Sequence, residues 1–136
     1  MERIPYHKAG AIIVRDKKVL LASSKGKLIF YWPGGKYEPA DSGNPEKCLS
    51  RELKEELGVD LISFNHYRTY NFTEGDYKGR HILLELYHVT FSGKPEACSE
   101  IEELCWFSRE DLISRANELP SYYKQVTLDL IKDGIV

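Results

Sequence analysis

The sequence predicts an α/β fold with a mixed β-sheet between helices, and three observations lead to this class. Strand-like runs precede and follow a single carboxylate-rich helix, and an amphipathic helix ends the chain. Nearly continuous apolarity across residues 80–91 indicates a central strand that is covered on both faces. A length of 136 residues is enough for one domain, and we expect that domain to span residues 1–136.

The first third of the chain is predicted to contain a β-hairpin and a short third strand. Residues 8–15 form a β-rich run, a turn follows at 16–18, and a second run follows at 19–23. The third strand, 28–32, leads into a glycine pair. Trp32 ends this strand and is interpreted either as a packing residue beneath the glycine loop or as a platform on which substrate stacks.

The second half is predicted to alternate strands with turns before two closing helices. Polar residues interrupt the pattern near 65–66, and Glu74-Gly75-Asp76 is typical of a turn. A capping box at 108–111 begins a short helix, and Gly134 ends the last one. The predicted elements are strands at 59–64, 67–72 and 80–91, a last strand that ends at 107, and helices from 109 to about 116 and from 120 to 134.

Composition and charge exclude several functional classes. The net charge of −2 gives no electrostatic basis for non-specific binding to nucleic acid, so no nucleic-acid partner is expected. No apolar run reaches 18 residues and the first residues begin no secretory signal, so we expect a cytoplasmic protein without a membrane partner. Three cysteines without a CxxC pair indicate neither a disulfide framework nor a zinc site. The expected form is a monomer or a homodimer.

Residues 34–59 carry the chemistry that the sequence indicates. On a helix, Glu52, Glu55 and Glu56 fall within an arc of about 100° beside an apolar stripe. Such a face is often only a solvated surface, but here Gly34 and Gly35 precede it and permit backbone conformations closed to other residues. Clustered carboxylates repel one another, and a hard divalent cation compensates this repulsion. Mg²⁺ suits the cluster best because it keeps several waters and is completed by substrate phosphates, with Mn²⁺ as the alternative.

These residues resemble the Nudix box, G-x5-E-x7-R-E-U-x-E-E-x-G-U, where U is aliphatic. The segment RELKEELGV at 51–59 matches the second half at every fixed position, and the WPGG that precedes the box is also typical. The first half is two residues longer than the pattern. The family's glutamate position falls on Asp41, with the extra residues within Ser42-Gly43-Asn44. We expect this insertion to bulge outward before Asn44 or Pro45 begins the helix.

The resemblance implies an α/β/α Nudix sandwich that hydrolyses the pyrophosphate linkage of a nucleoside diphosphate derivative by water attack on phosphorus. It implies that Glu52, Glu55 and Glu56 bind the metal, with a backbone contact from Gly35. For the missing general base we favour Glu100 over Glu103, although all the acidic residues of that loop could equally be solvated. The predicted catalytic residues are Glu55, Glu56 and Glu100, and the predicted substrate-binding residues are Lys36, Arg68 and Arg80.

Two alternatives to hydrolysis belong to different functional classes. A Nudix-fold domain can bind a nucleotide without cleaving it, but such domains usually lack the helix glutamates that this chain retains. Isoprenoid diphosphate isomerases of this fold share N-terminal metal-binding histidines that this chain lacks. Hydrolysis of a small-molecule nucleotide is therefore favoured, while the sequence does not indicate which nucleotide derivative is the substrate.

Overall fold

A computed structural model describes residues 6–77 and 80–136, with side chains described at 6–72 and 81–136. Within these ranges the backbone forms eight strands and three α-helices. In chain order they are β1 (Tyr6–Ile12), β2 (Val14–Arg15), β3 (Lys18–Ser24), β4 (Phe30–Tyr31), β5 (Gly34–Lys36), α1 (Pro45–Leu57), β6 (Asp60–Tyr77), β7 (Arg80–Ser92), β8 (Ile101–Phe107), α2 (Arg109–Ser114) and α3 (Lys124–Lys132).

The strands form two sheets. The first has the order β5-β1-β7-β6, in which β1 and β7 are parallel and the other neighbours are antiparallel. In the second, β3 pairs with β2, β4 and β8, all antiparallel. The predicted mixed sheet is thus confirmed, and β7 is a central strand with partners on both sides, as its apolar run indicates.

Helices cover both sides of the sheets, which confirms the predicted α/β/α sandwich. On one side α1 buries Leu49, Leu53 and Leu57 completely, in a cluster that includes Ala9 and Ala11 of β1. On the other side the buried side chains of α2 and α3 pack against β7 in a second cluster. Burial of a leucine side chain contributes about 1.5–3 kcal/mol, so these two clusters hold the layers together. None of the helices in the described ranges is long and apolar enough to cross a membrane.

The predicted hairpin at 8–23 is wrong in its first strand. The run divides at Ile13, because β1 pairs with β5 and β7 in the first sheet while only the two residues of β2 pair with β3. The tight turn of this short hairpin is at Asp16 and Lys17, which both have positive φ angles of 52° and 63°. The alternation of apolar and polar residues shows which side chains share a face of a strand, but not which strand is its neighbour. The sequence therefore could not show that β1 and β2 belong to different sheets.

Two further boundaries differ from the prediction. The strand expected at 28–32 is only Phe30–Tyr31, and Leu28 is 90% exposed on the loop before it. The turn expected at 74–76 is absent, because β6 continues to Tyr77 by pairing with β7. Register shifts near 61–63 and 66–68 occur in that pairing, but the interruption predicted near 65–66 is wrong, because Asn65 and His66 are themselves paired with β7 in one continuous strand.

Candidate active site

The glycine pair opens β5 and places the peptide chain directly against β1. Gly34 has a φ angle of 135°, and a Cβ atom there would lie 2.1 Å from the carbonyl oxygen of Ala9. Only glycine fits this position, because other residues avoid this backbone region and would collide with the neighbouring strand. The result is that the N–H of Gly34 points at α1 and donates a 2.9 Å hydrogen bond to Oε1 of Glu56.

Gly35 provides space for a second carboxylate of the helix. A Cβ atom on Gly35 would lie 2.5 Å from Cδ of Glu52, so the Glu52 carboxylate lies directly over the bare backbone. The carbonyl oxygen of Gly35 accepts a 3.6 Å hydrogen bond from the thiol of Cys48. The glycine pair therefore brings Glu52 and Glu56 to the same sheet edge.

The inserted loop leaves α1 in place, as predicted. After a 3-10 turn at Pro39–Asp41, Ser42 and Gly43 adopt left-handed conformations and are exposed. Asn44 then caps the helix by accepting a 2.9 Å hydrogen bond from the N–H of Glu46, and Pro45 is the first helical residue. The two extra residues are thus accommodated in solvent.

Arg51 joins the loop to the carboxylate helix. Its guanidinium lies 2.7 Å from carboxylate oxygens of Glu38, Asp41 and Glu52. Asp41 is only 3% exposed and also accepts the N–H of Glu38. The hydrogen bond from Arg51, followed by that from Glu38, lowers the pKa of Asp41. Asp41, on which the family's glutamate position falls when counted from Gly35, is therefore ionised and anchors the loop.

A cavity of about 630 Å³ lies beside Glu52 and Glu56. Its size is typical of a small-molecule site. Its charged lining combines two glutamates with three lysines, namely Glu52, Glu56, Lys8, Lys27 and Lys36. Its apolar lining comes from the loop before β4, from strands of both sheets and from the segment before α3, and includes Tyr6, Ile29, Tyr31, Trp32, Ile82, Ile101, Leu119, Pro120 and Tyr122.

Burial perturbs the charged groups around this cavity. Loss of hydration raises the pKa of Glu56 to about 7, although the hydrogen bond from Gly34 opposes this rise. Burial also raises the pKa of Glu52 against the opposing effect of Arg51. Lys8 faces both carboxylates, yet burial lowers its pKa because desolvation outweighs their attraction. Such perturbed groups in one cavity are typical of functional sites.

Comparison with known proteins agrees with this geometry. The model of the NUDIX domain matches residues 5–129. A protein of Proteus vulgaris named 8-oxo-dGTP diphosphatase is 36% identical over 86 residues, which cover 60% of this chain and 72% of that protein. The chain belongs to the NUDIX family.

Two further relatives extend the comparison. The crystal structure of a MutT NUDIX hydrolase from Burkholderia pseudomallei superposes with a TM-score of 0.67 at 31% identity, covering 81% of this chain and 88% of that one. The NAD-capped RNA hydrolase NudC of Stutzerimonas stutzeri is 31% identical over 108 residues, or 74% of this chain, but only 36% of NudC is covered. The prediction of a Nudix enzyme is confirmed at the level of the family.

The Nudix glutamates are only partly assembled into a metal site. Within the described ranges, no group of three or more His, Cys, Asp or Glu side chains is arranged to hold a metal ion. Glu52 and Glu56 line the cavity, whereas Glu55 is exposed and does not. Two desolvated carboxylates with raised pKa values suit a hard cation whose other ligands are waters and phosphate oxygens, because its charge would relieve their repulsion.

Of the other predicted site residues, Lys36 lines the cavity, whereas Arg68 and Glu100 do not. The guanidinium of Arg68 lies 2.9 Å from the Asp133 carboxylate beyond α3. Glu100 lies on the exposed turn before β8, where the following residue, Ile101, lines the cavity instead. Arg80 begins β7, but its side chain lies outside the described residues.

Sequence reasoning missed Lys8 and Lys27 as cavity residues. Lys8 is a charged residue directly before a run of small and apolar residues, which is the indication that the sequence contains. The direction of the Lys8 side chain depends on the pairing of β1 with β7, which places Lys8 opposite Leu84 and which the sequence does not specify.

Trp32 proves to be a packing residue, 4% exposed and stacked on Tyr123 at 5.6 Å, and it also forms part of the cavity wall.

Proposed function

We propose that the chain is a Mg²⁺-dependent hydrolase that cleaves the pyrophosphate linkage of a nucleoside diphosphate derivative. The observation that carries this proposal is the convergence of Glu52 and Glu56 on a cavity that also presents lysines and aromatic rings. Carboxylates suit a divalent cation, ammonium groups suit phosphates, and an aromatic and apolar wall suits a nucleobase. One cavity thus offers a complementary group for each part of a nucleotide.

Glu52 and Glu56 are the residues that would hold the cation, with Glu55 and the backbone of Gly35 as the further predicted contacts. Bound there, a divalent cation neutralises phosphate charge and activates water. Gly34 orients Glu56 through its N–H, and Arg51 orients Glu52 through a 2.7 Å contact. These fixed side chains reduce the reorganisation that substrate binding would otherwise require.

The proton of the attacking water requires an acceptor, and we propose Glu55 or Glu100 for this role. Both side chains are exposed and neither lines the cavity, so each must turn towards it when substrate is bound. Glu56 is less suited to this role because it already accepts the N–H of Gly34. Hydrogen bonds of catalytic groups often form only in the substrate complex.

We favour a nucleoside triphosphate as the substrate class, because the relative from Proteus vulgaris is named 8-oxo-dGTP diphosphatase. We further propose that residues 1–136 form one catalytic domain that acts in the cytoplasm on small-molecule nucleotides, without nucleic acid, as a monomer or homodimer. The modest net charge of −2 supports the choice of small substrates.

The proposal is tested by product analysis on a panel of nucleoside triphosphates, ADP-ribose, dinucleoside polyphosphates and sugar nucleotides, with Mg²⁺, with Mn²⁺ and with a chelator. We expect metal-dependent release of phosphate, pyrophosphate or nucleoside monophosphate by the wild type. Glu56→Gln should lower kcat by at least about a hundredfold, since it removes a charge that the transition state requires. The matched control is Glu46→Gln, which alters an exposed glutamate of the first turn of α1 and should keep activity.

The alternative is a nucleotide-binding domain without activity. It would be indicated if no compound of the panel were turned over while nucleotides still bound equally to the wild type and to Glu56→Gln. Equal turnover by the wild type and Glu56→Gln would instead place the catalytic group elsewhere.

A further inference from the structure

The lysine that sequence reasoning missed, Lys8, is in an unusual position for a charged residue. It lies in β1 directly before buried residues, of which Ala9 is 1% and Ala11 0% exposed, and its side chain lines the cavity. Within the described ranges its ammonium group forms no hydrogen bond and no ion pair. Its recorded contacts are with two rings, at 5.7 Å from the centroid of Tyr6 and 5.2 Å from that of Tyr31.

An ammonium group in this position is costly for the free protein. Desolvating a charge without a hydrogen-bonded partner destabilises the fold, and the cation–π contacts with two rings offset only part of this cost. The nearby carboxylates of Glu52 and Glu56 do not reach it within ion-pair distance, and both have other hydrogen bonds. The charge is therefore available for an anion that enters the cavity.

Two more lysines lie beside the same rings. Lys36 lies 5.4 Å from the centroid of Tyr6, and Lys27 lies 5.9 Å from that of Tyr31. Lys8 contacts both rings and is also paired directly opposite Lys36 across β1 and β5, so it is the lysine common to the group. All three line the cavity that contains Glu52 and Glu56.

We infer that Lys8, Lys27 and Lys36 bind the phosphate chain of a nucleoside triphosphate, with Lys8 as the central contact. The inference rests on the proposed function, and it adds Lys8 and Lys27 as residues that bind the phosphate chain. Three ammonium groups around one cavity suit a chain of three phosphates, because each phosphate group can face a positive charge. Like charges around an empty cavity repel one another, and an anionic ligand relieves this repulsion.

The test measures binding of inorganic tripolyphosphate, pyrophosphate and orthophosphate to the metal-free protein by calorimetry at low ionic strength. We expect the wild type to bind tripolyphosphate most tightly. Lys8→Met keeps the length and apolar stem of the side chain without its charge, and it should weaken tripolyphosphate binding by about tenfold or more, as expected for a charged hydrogen bond. Lys8→Arg should recover part of this loss.

The matched control is Lys94→Met, which removes the same charge from an exposed lysine that does not line the cavity. Binding by Lys94→Met should equal that of the wild type. The inference is overturned if the wild type does not bind tripolyphosphate, if Lys8→Met binds it as tightly as the wild type, or if Lys94→Met loses as much affinity.

Thermal unfolding provides a second test, because Lys8→Met should weaken ligand binding but stabilise the free protein. If Lys8 serves the ligand, Lys8→Met should raise the Tm of the free protein, because it removes a desolvated charge. A lowered Tm together with unchanged tripolyphosphate binding would assign Lys8 a purely structural role and overturn the inference.

Failure of this inference is distinguishable from failure of the proposed function. If no nucleotide is turned over but tripolyphosphate binding still depends on Lys8, the proposed hydrolase activity is refuted and the anion site is retained. Turnover of a nucleoside triphosphate with the same KM in the wild type and Lys8→Met would retain the hydrolase and refute the role of Lys8.

Discussion

The N–H of Gly34 and the carboxylate of Glu56 form a 2.9 Å hydrogen bond that connects the glycine pair to α1. The bond requires the φ angle of 135° at Gly34, which turns the peptide towards α1. It partly offsets the desolvation that raises the pKa of Glu56. One backbone conformation thus determines where the carboxylate lies and how strongly it is hydrogen bonded.

Gly34→Ala should strongly destabilise the protein. The new Cβ atom would lie 2.1 Å from the carbonyl oxygen of Ala9, which is backbone and cannot move aside cheaply. We expect a loss of about 3 kcal/mol or more in the free energy of unfolding, measured by urea denaturation. The control is Gly43→Ala, where φ is also positive but no atom lies within 4 Å. Its loss should stay near 1 kcal/mol, and equal losses in the two variants would show that the contact with Ala9 is unimportant.

Gly35→Ala should separate activity from stability. Its Cβ atom would lie 2.5 Å from Cδ of Glu52, and this carboxylate end can move aside, although it must leave its position over the loop. We expect the free energy of unfolding to change by less than about 1 kcal/mol while kcat/KM falls by about tenfold or more.

Steady-state kinetics and urea denaturation of Gly35→Ala, compared with Gly34→Ala, check this expectation. A variant that is fully active would show that the position of Glu52 over Gly35 is not required. One that loses several kcal/mol of stability would show that the backbone, rather than the carboxylate, gives way.

Local features of the active-site helix could be predicted from sequence because they depend on neighbouring residues. Asn44 is a good cap, Pro45 fits a first turn, and Gly58 ends the helix with a left-handed φ angle of 69°. The spacing of Glu52 and Glu56 by four residues places both on one helix face. Each of these expectations agrees with the structure.

The features that sequence could not provide depend on residues far apart in the chain. Lys8 is directed into the cavity by a parallel pairing with residues near 84, and a strand pattern does not specify that partner. Arg51 contacts Asp41 and Glu38 because the loop between β5 and α1 folds back over the helix. Arg68 was placed near the substrate by its position at a strand, whereas the structure directs it to Asp133.

Stability should depend on pH through Asp41. Arg51 lowers the pKa of this carboxyl in the folded state below its unfolded value of about 3.9. A depressed pKa contributes stability that is fully present above the unfolded pKa and is lost as pH falls through the folded value. The difference in unfolding free energy between the wild type and Asp41→Asn should therefore be constant above about pH 5 and shrink in acid.

Urea denaturation of both proteins between pH 3 and pH 7 measures this difference. Asp60→Asn is the control, since the side chain of Asp60 is 71% exposed and its pair with Lys54 at 3.3 Å contributes little. A difference for Asp41→Asn that stays the same down to pH 3 would mean that the bond to Arg51 does not stabilise the ionised form.

Substitutions of the predicted basic residues Lys36 and Arg68 should have different effects on KM, because Lys36 lines the cavity and Arg68 does not. Lys36 lines the cavity, so Lys36→Met should raise KM for a nucleoside triphosphate by about tenfold and leave kcat nearly unchanged, because binding is weakened equally in the ground and transition states. Arg68 is held by Asp133 at 2.9 Å, so Arg68→Gln should change KM by less than about twofold. Steady-state kinetics measures KM for both variants, and thermal unfolding verifies that both are folded. A larger rise of KM in Arg68→Gln than in Lys36→Met would mean that bound substrate extends to the Asp133 side of β6 and draws Arg68 away from its carboxylate partner.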